Sequence, residues 1–400
     1  MRIPSIDLNR RDFLLNALAT PATGLALPNQ VWAKNVLDDE SEILQIGYLP
    51  IADATALLVA HAYGYFEQEG LKVAPPTRVS SWAQLVRYFF IGQFNLVHFL
   101  KPIPIWLRYN HKIPVKIMAW AHINGSAIVV GKHTHIQSFS DLAGKQIAVP
   151  HWYSVHNILL QLALRHVLLK PVLKHKDEPL AKDEVNLRLL PPPVMPDALM
   201  ARTIDAYIVA EPLNAKGEWV AGARMLRFTG DIWKNHPCCV VCMNENTVKA
   251  KPLFTQKVIN AIVRAQVYAQ QNKEEVAHTL SQEGKNYIPV SAQVLKHAML
   301  SYDTRTYTGA ILHQAAWGNG RIDFSPWPYP SATRFLVKAM KQTLVTSNTT
   351  FLKGLDPEFV VKDLVDYHFV KVAMEKYLGW ETAPGVDVNN PFGREEIISI

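Results

Sequence analysis

The chain is 400 residues long, and 49% of its residues are hydrophobic while 19% are charged. These values exclude a disordered chain and a small disulfide-stabilised scaffold, and the length suggests two or three domains of roughly 150 residues, or two lobes. Lysine and arginine outnumber aspartate and glutamate by 41 to 34. The basic residues are scattered, so we expect no nucleic-acid partner, although a mild positive charge suits a small anionic ligand.

The first residues have the features of an export signal. Arg10 and Arg11 precede a mildly apolar stretch over residues 13–27, which is typical of a signal read by the twin-arginine translocase. A small-x-small run ends at Ala33, so we predict cleavage after Ala33, a mature chain beginning near Lys34 and a periplasmic location. No later apolar run approaches the roughly 20 residues of a membrane-spanning helix, so we expect a soluble mature protein.

Strand and helix patterns then alternate along the chain. Apolar or alternating runs predict strands over residues 43–49, 144–149, 185–190, 206–209 and 239–243. Helical spacing predicts helices over residues 52–63, 257–272, 273–281, 331–344 and 357–378. This order predicts an α/β protein with mainly parallel sheets and a helical C-terminal extension.

The three cysteines lie close together in the sequence. Cys239 and Cys242 have Cys-x-x-Cys spacing, and Cys238 precedes them in an apolar run. Such spacing can bind a metal or form a redox pair, but no second Cys/His pair stands at ligand spacing. We interpret the cysteines as buried strand residues and expect neither a metal ion nor a cofactor.

Four short segments carry the residues that suit a binding site. Trp82 begins a helical pattern that includes Gln84, and Ser154 is the predicted N-cap of a helix that contains His156. Glu211 follows a predicted strand, and Lys234 lies in a loop. A helix N-terminus, an imidazole and an ammonium group together favour an anion. No P-loop, GxGxxG, GxSxG or HExxH motif occurs, which favours binding over catalysis.

The order of these segments resembles a known family. Residues 47–54, 60–64 and 66–73 look like the opening of the periplasmic binding proteins of nitrate, bicarbonate and sulfonate ABC importers. The later segments are similar to the nitrate and bicarbonate branch in particular. They cover residues 81–84, 98–104, 124–128, 154–157, 211–214, 231–237 and 327–331.

The resemblance implies a type II periplasmic-binding fold with two lobes that close on a ligand. It implies lobe 1 over residues 34–124 and 243–400 and lobe 2 over residues 125–242. An ABC permease and its ATPase subunit would be the partners. The protein would bind nitrate, nitrite or cyanate and would not be an enzyme.

The resemblance also implies the ligand-binding residues. In nitrate-binding members the anion contacts a tryptophan, a histidine and a lysine, which match Trp82, His156 and Lys234. Bicarbonate binders have an acidic residue in place of the lysine and use a metal ion, so Lys234 favours a metal-free monoanion site. The full predicted set is Trp82, Gln84, Asn124, Ser126, Ser154, His156, Glu211 and Lys234.

Departures from the family pattern leave other ligands and functions open. Ser126 stands where a glutamine is common, and Leu213 replaces a tryptophan, so a larger anion such as an organosulfonate (taurine-like) or a carboxylate is an alternative ligand. Bicarbonate, which other members of the branch bind, is another alternative. A ligand sensor is a further alternative, although the export signal argues against it. An enzyme of the thiamine-pyrimidine group would require a reactive cysteine and histidine facing one pocket. His156 could serve that role, whereas the cysteines lie in an apolar strand.

Overall fold

The computed structural model of the protein describes residues 42–300, 304–314 and 320–400. The predicted export signal and its cleavage site lie outside these residues. The strands are β1 (Ile43–Leu44), β2 (Ile46–Tyr48), β3 (Lys72–Val73), β4 (Thr77–Arg78), β5 (Leu96–Leu100), β6 (Val115–Trp120), β7 (Ile123–Asn124), β8 (Ser126–Val130), β9 (Gln146–Val149), β10 (Lys170–Val172), β11 (Glu184–Leu189), β12 (Ala206–Ala210), β13 (Arg224–Phe228), β14 (Cys239–Asn244) and β15 (Ile322–Asp323).

Helices connect and cover these strands. The α-helices are α1 (Thr55–Ala62), α2 (Tyr65–Gln68), α3 (Trp82–Phe90), α4 (Pro102–Tyr109), α5 (Val155–His166), α6 (Met195–Met200), α7 (Leu213–Ala221), α8 (Thr229–Ile232), α9 (Glu245–Ala250), α10 (Pro252–Gln271), α11 (Lys273–Leu280), α12 (Ala292–Met299), α13 (Pro330–Met340), α14 (Thr350–Lys353), α15 (Pro357–Leu364) and α16 (His368–Lys376). Short 3₁₀ helices span Ala52–Ala54, Phe139–Leu142, Pro192–Val194, Thr304–Tyr307 and Trp380–Thr382. None of the helices in the described ranges is both long and apolar enough to span a membrane.

Two large mixed sheets organise the fold. The first has the strand order β4-β2-β5-β14-β6, and β14 runs antiparallel to both of its neighbours. The second has the order β10-β11-β9-β12-β8-β13, in which β8 runs antiparallel to β12 and β13. Every residue of β5 and β14 is buried, which agrees with continuous apolar runs in central strands. The predicted α/β class with mixed sheets is confirmed.

The chain passes between the two sheets through two adjacent segments. The first crossing segment, residues 121–125, links β6 to β8, and the second, residues 229–238, links β13 to β14. Ile123 and Pro237 form an antiparallel bridge, and Asn124 N donates to His236 O at 2.9 Å. Asn124 and Gly125 both have positive φ, 58° and 77°, which places a tight bend between the sheets. The predicted lobe boundaries lie near these segments and stay a prediction.

Two predicted elements differ from the structure. The strand predicted over residues 43–49 is interrupted at Gln45, because β1 pairs with β3 in a small separate sheet while β2 joins the first large sheet. The helix predicted over residues 357–378 is two helices, α15 and α16. Val365 between them forms a parallel bridge with Ile117, and Asp366 N donates to Ile117 O at 2.9 Å. The apolar periodicity continues through the break and therefore did not reveal it.

Candidate functional site

The candidate site lies where the two large sheets meet. Ala52 N donates to Glu211 O at 2.8 Å, which joins the segment after β2 to the end of β12. Glu211 N donates to Gly125 O at 2.8 Å in the first crossing segment. Binding sites of α/β proteins form at such carboxyl ends of strands, so a ligand at this junction would contact groups from both sheets.

Ser126 and His156 are in direct contact at this junction. Ser126 begins β8, His156 is the second residue of α5, and both are buried. Ser126 Oγ lies 2.9 Å from His156 Nε2. Ser154 is the N-cap of α5, and its Oγ accepts a hydrogen bond from Asn157 N at 3.0 Å, which confirms the predicted helix start. A hydroxyl, an imidazole and the positive end of a helix dipole are thus brought together.

A second group of polar side chains lies next to this pair. Asp53, His122, Cys238 and Cys239, which we call the acid–thiol cluster, are fully buried. Asp53 Oδ2 is 3.0 Å from Cys239 Sγ, 3.5 Å from Cys238 Sγ and 3.1 Å from His122 Nε2. Cys238 Sγ also lies 3.8 Å from His156 Nε2 and 3.7 Å from Ser126 Oγ. The cluster therefore adjoins the Ser126–His156 contact.

Burial and mutual charge shift the pKa values in the acid–thiol cluster. Burial raises the pKa of Asp53, and the neighbouring His122 opposes this shift. Burial alone would lower the pKa of His122, but the charge of Asp53 raises that pKa to about 10. Burial alone would raise the pKa of Cys238, but its hydrogen bond with Cys239 and the charge of His156 lower that pKa well below its ordinary value. The environment therefore shifts His122 and Cys238 towards their charged forms, whereas burial shifts Asp53 towards its neutral form.

The structure refines the interpretation of the cysteines. Cys242 is a buried residue of β14, in agreement with that interpretation. Cys238 and Cys239 are equally buried, but their thiols contact Asp53 and, for Cys238, also His156 and Ser126. The contact of Cys238 with His156 goes beyond the interpretation of the cysteines as buried strand residues. A carboxylate, an imidazole and two thiols are also a donor set that can bind a metal ion.

Three other predicted residues lie around the junction. Trp82, the first residue of α3, is buried and packs edge to face on His98 with ring centroids 5.3 Å apart. Asn124 Nδ2 donates to Asn235 Oδ1 at 3.3 Å between the two crossing segments. Glu211 Oε1 accepts from Arg321 at 3.1 Å, and Glu211 Oε2 accepts from Ala215 N at 3.0 Å. Glu211 thus has cationic and amide partners within the protein.

Gln84 and Lys234 are not brought into contact with Ser126 or His156. The Gln84 side chain accepts from Ser80 N at 2.9 Å and donates to Tyr88 Oη at 3.3 Å, both within its own segment. Lys234 is half-buried, and its backbone N donates to Ile397 O at 3.1 Å. Their roles in ligand binding stay predictions.

Lys101 is a buried cation that the sequence analysis did not single out. It follows β5, and its backbone N donates to Cys238 O at 2.9 Å. Its Nζ lies 4.9 Å from the ring centroid of Trp120 and has no hydrogen-bond partner among the described residues. Burial lowers the pKa of Lys101 well below its ordinary value. The signals in the sequence were its place directly after the apolar pair Phe99 and Leu100 and its position within the family segment 98–104.

The junction is closed in this structure. Ser126 and His156 are 2% and 1% exposed, and all four residues of the acid–thiol cluster are 0% exposed. A cavity of about 640 Å³ lies elsewhere, against α10, α11 and α12, and is lined by residues that include Gln270, Lys273 and Lys296. Entry of a ligand at the junction therefore requires the two sheets to move apart.

Comparison with known proteins identifies the family. Residues 37–281 match the sequence model of the NMT1-like family, which is more than half of the chain. The chain belongs to the NMT1-like family.

Relatives agree with the resemblance drawn from the sequence motifs. The NMT1-like chain is 24% identical to the nitrate/nitrite binding protein NrtA of Nostoc sp. (strain PCC 7120) over 316 residues, which cover 72% of this chain and 69% of that protein. It is 26% identical over 249 residues to the bicarbonate transport ATP-binding protein CmpC of Synechocystis sp. (strain PCC 6803), covering 58% of this chain and 36% of that protein. The predicted relationship to the nitrate and bicarbonate branch is confirmed.

A solved structure shares the fold of this NMT1-like chain. The periplasmic nitrate-binding protein NrtA from Synechocystis PCC 6803 superposes with a TM-score of 0.70. The match covers 87% of this chain and 90% of that chain at 17% sequence identity. The predicted periplasmic-binding-protein fold is therefore confirmed.

Proposed function

We propose that this NMT1-like protein is the solute-binding component of an ABC importer. It would act in the periplasm, capture a small anion between its two lobes and deliver it to a membrane permease driven by an ATPase subunit. The names of its relatives support this proposal, since they include a nitrate-binding protein and an ATP-binding protein of bicarbonate transport. The predicted export signal, residues 1–33, would direct the protein to the twin-arginine translocase.

The contact between Ser126 and His156 is the observation that carries the proposal. Ser126 begins β8 of the second sheet, His156 lies in α5, which follows β9 of the same sheet, and both residues lie beside groups attached to the first sheet. An anion between the lobes would accept hydrogen bonds from the Ser126 hydroxyl, the His156 ring and free amides at the start of α5. Trp82, Asn124, Glu211 and Ser154 would shape the same space.

We propose nitrate, nitrite or cyanate as the solute. The groups at the junction are packed against one another, which suits an anion of a few atoms better than a long organic one. Bicarbonate is one alternative, and an alkanesulfonate is another, because Ser126 is smaller than the glutamine common at its position. A sulfonate would require a larger opening of the junction than nitrate.

A thermal-shift screen with isothermal titration calorimetry tests the solute. Nitrate, nitrite, cyanate, bicarbonate and taurine are added to the purified protein, since a ligand that binds only the folded form raises the melting temperature. We expect a shift with one of the first three anions. His156→Ala should weaken that anion at least about tenfold, equivalent to ~1.4 kcal/mol. His166→Ala is the matched control, because His166 is exposed at the other end of α5.

Other outcomes of this screen separate the alternatives. A shift with taurine alone would replace the proposed solute by a sulfonate. A shift with bicarbonate alone would place the protein with the bicarbonate binders. Equal binding by His156→Ala and the native protein would contradict the proposed location of the site.

A second candidate function is thiol-dependent catalysis. Cys238 Sγ lies 3.8 Å from His156 Nε2, and the pKa of Cys238 is lowered, as in enzymes that use a thiolate nucleophile. Mass spectrometry after iodoacetamide treatment tests this alternative. Selective alkylation of Cys238 over Cys242 would support a reactive thiolate, whereas equal inertness of both would argue against catalysis.

A further inference from the structure

The acid–thiol cluster is built from residues that the proposed anion site does not require. Asp53, His122, Cys238 and Cys239 each offer one ligand atom, and these four atoms all lie within 4.8 Å of one another. All four residues are 0% exposed. Two thiols, an imidazole and a carboxylate therefore converge in the buried interior.

The distances from Asp53 Oδ2 to the other ligand atoms are close to those of a tetrahedral metal site. Tetrahedral zinc with bonds of about 2.3 Å to sulfur and about 2.0 Å to nitrogen or oxygen separates oxygen from nitrogen by about 3.3 Å and oxygen from sulfur by about 3.5 Å. Asp53 Oδ2 lies 3.1 Å from His122 Nε2 and 3.5 Å from Cys238 Sγ. It lies 3.0 Å from Cys239 Sγ. Small side-chain rotations would therefore complete the coordination.

The hydrogen bonding of the cluster is incomplete among the described residues. Asp53 Oδ1 and both ring nitrogens of His122 are buried without a hydrogen-bond partner. His122 Nε2 lies at ion-pair distance from Asp53 Oδ2, 3.1 Å, so the atoms left without any partner in the described part of the chain are His122 Nδ1 and Asp53 Oδ1. Buried polar atoms are normally paired, and a bound cation would satisfy both the carboxylate and the imidazole.

We propose that Asp53, His122, Cys238 and Cys239 bind one zinc-class divalent ion. A four-coordinate site with thiolate and imidazole ligands selects zinc over calcium and magnesium, which prefer six or more oxygen ligands. The ion would balance two of the three negative charges that the thiolates and the carboxylate place in the interior. This ion site is different from the position of Lys234, which is the position at which bicarbonate binders have their acidic residue.

The ion would be held at the first large sheet and would not be the transported solute. Asp53 follows β2, His122 follows β6, Cys238 directly precedes β14, and Cys239 is the first residue of β14. All of these strands belong to the first large sheet. Ion binding therefore does not depend on closure onto Ser126 and His156, and the ion site goes beyond the proposed function and does not rest on it.

Cobalt substitution of the whole protein tests the site directly. The purified protein is stripped with a chelator and titrated with Co²⁺, whose sulfur-to-cobalt charge-transfer absorption reports thiolate ligands. We expect this absorption to saturate at about one Co²⁺ per chain and to be removed by Zn²⁺ but not by Ca²⁺. Less than about a tenth of an equivalent bound, with no charge-transfer absorption, would overturn the proposal.

Variants locate the site and separate it from solute binding. The double variant Cys238→Ser/Cys239→Ser should lose the absorption, while Cys242→Ser, altered in the same buried strand but outside the cluster, should keep it. Asp53→Asn provides a second test if the double variant does not fold. Absorption that persists in the double variant would overturn the assignment. Calorimetry with the anion on metal-free protein measures the proposed function separately, so one proposal can fail while the other stands.

Discussion

Arg321 is a fully buried cation with two acidic partners. Its guanidinium donates to Glu211 at 3.1 Å and to Glu218 at 2.9 Å. Arg321→Met would leave Glu211, which is 0% exposed, without its cationic partner. We expect the free energy of unfolding, measured with urea, to fall by about 3–5 kcal/mol.

The control for Arg321 is an exposed ion pair. Arg334 and Glu358 are in contact at 2.5 Å, and their side chains are 40% and 52% exposed. Arg334→Met should change the free energy of unfolding by at most about 1 kcal/mol. Equal effects of the two substitutions would contradict the structural role assigned to Arg321.

Lys234 has a predicted role that a substitution can examine. If Lys234 supplies the charge that pairs with the anion, Lys234→Ala should weaken anion binding by about 1.5–3 kcal/mol in calorimetry. Lys216→Ala in α7 is the control, since Lys216 is also half-buried. Unchanged affinity would remove Lys234 from the site and leave the buried Lys101 as the lysine beside the junction.

Ser154 and Cys238 differ in how far their structural environments could be predicted from the sequence. Ser154 was predictable as an N-cap because the signal is local: a serine directly before an apolar helical pattern. The environment of Cys238 was not predictable, because its apolar neighbours in the sequence are not its neighbours in space. Asp53 and His156 approach Cys238 only through the topology of the two sheets.

Arg108 connects three helices through a pair of carboxylates. It lies in α4 and donates to Glu245 of α9 at 2.7 Å and to Asp363 of α15 at 2.8 Å. The hydrogen bond from Arg108 is the main reason that the pKa of Glu245 falls from 4.5 to about 2. The ionised Glu245 carboxylate therefore contributes to the free energy of unfolding above pH 4.5, and this contribution is lost as the pH falls from 4.5 through about 2.

Urea unfolding across this pH range tests the connection between the helices. Glu245→Gln should lower the free energy of unfolding at pH 7 and should reduce its loss between pH 4.5 and about 2. Glu358→Gln is the control, because that carboxylate is exposed. An unchanged pH dependence in Glu245→Gln would show that Arg108 does not hold the three helices together through Glu245.

Helices and strands were predictable where their apolar pattern is continuous and where local residue signals mark their ends. The strand predicted over residues 239–243 corresponds to β14, and the helix predicted over residues 273–281 corresponds to α11. The helix predicted over residues 357–378 divides because Val365 joins the edge of β6 through Ile117. A contact across 248 positions of the sequence leaves no trace in local periodicity.

At the scale of the whole molecule, the family order of motifs predicted the fold, while the acid–thiol cluster had no sequence pattern. Its residues come from the segment after β2, the first crossing segment, the end of the second crossing segment and the first residue of β14. Metal motifs are recognisable when ligands recur at short, regular spacing. Asp53, His122 and Cys238 are too widely separated for such a motif, so only the folded arrangement of the first sheet reveals them.

Closure of the two lobes is the last property that can be tested. Among the described residues, two crossing segments connect the strands of one large sheet to those of the other. Because the junction between the sheets is buried, the two sheets have to separate before a solute enters. We therefore expect the radius of gyration, measured by small-angle X-ray scattering, to decrease when the preferred anion is added. His166→Ala should respond as the native protein does, and His156→Ala should remain at the larger radius. An identical radius with and without bound anion would mean that the solute binds without lobe closure, and the junction would then not be its site.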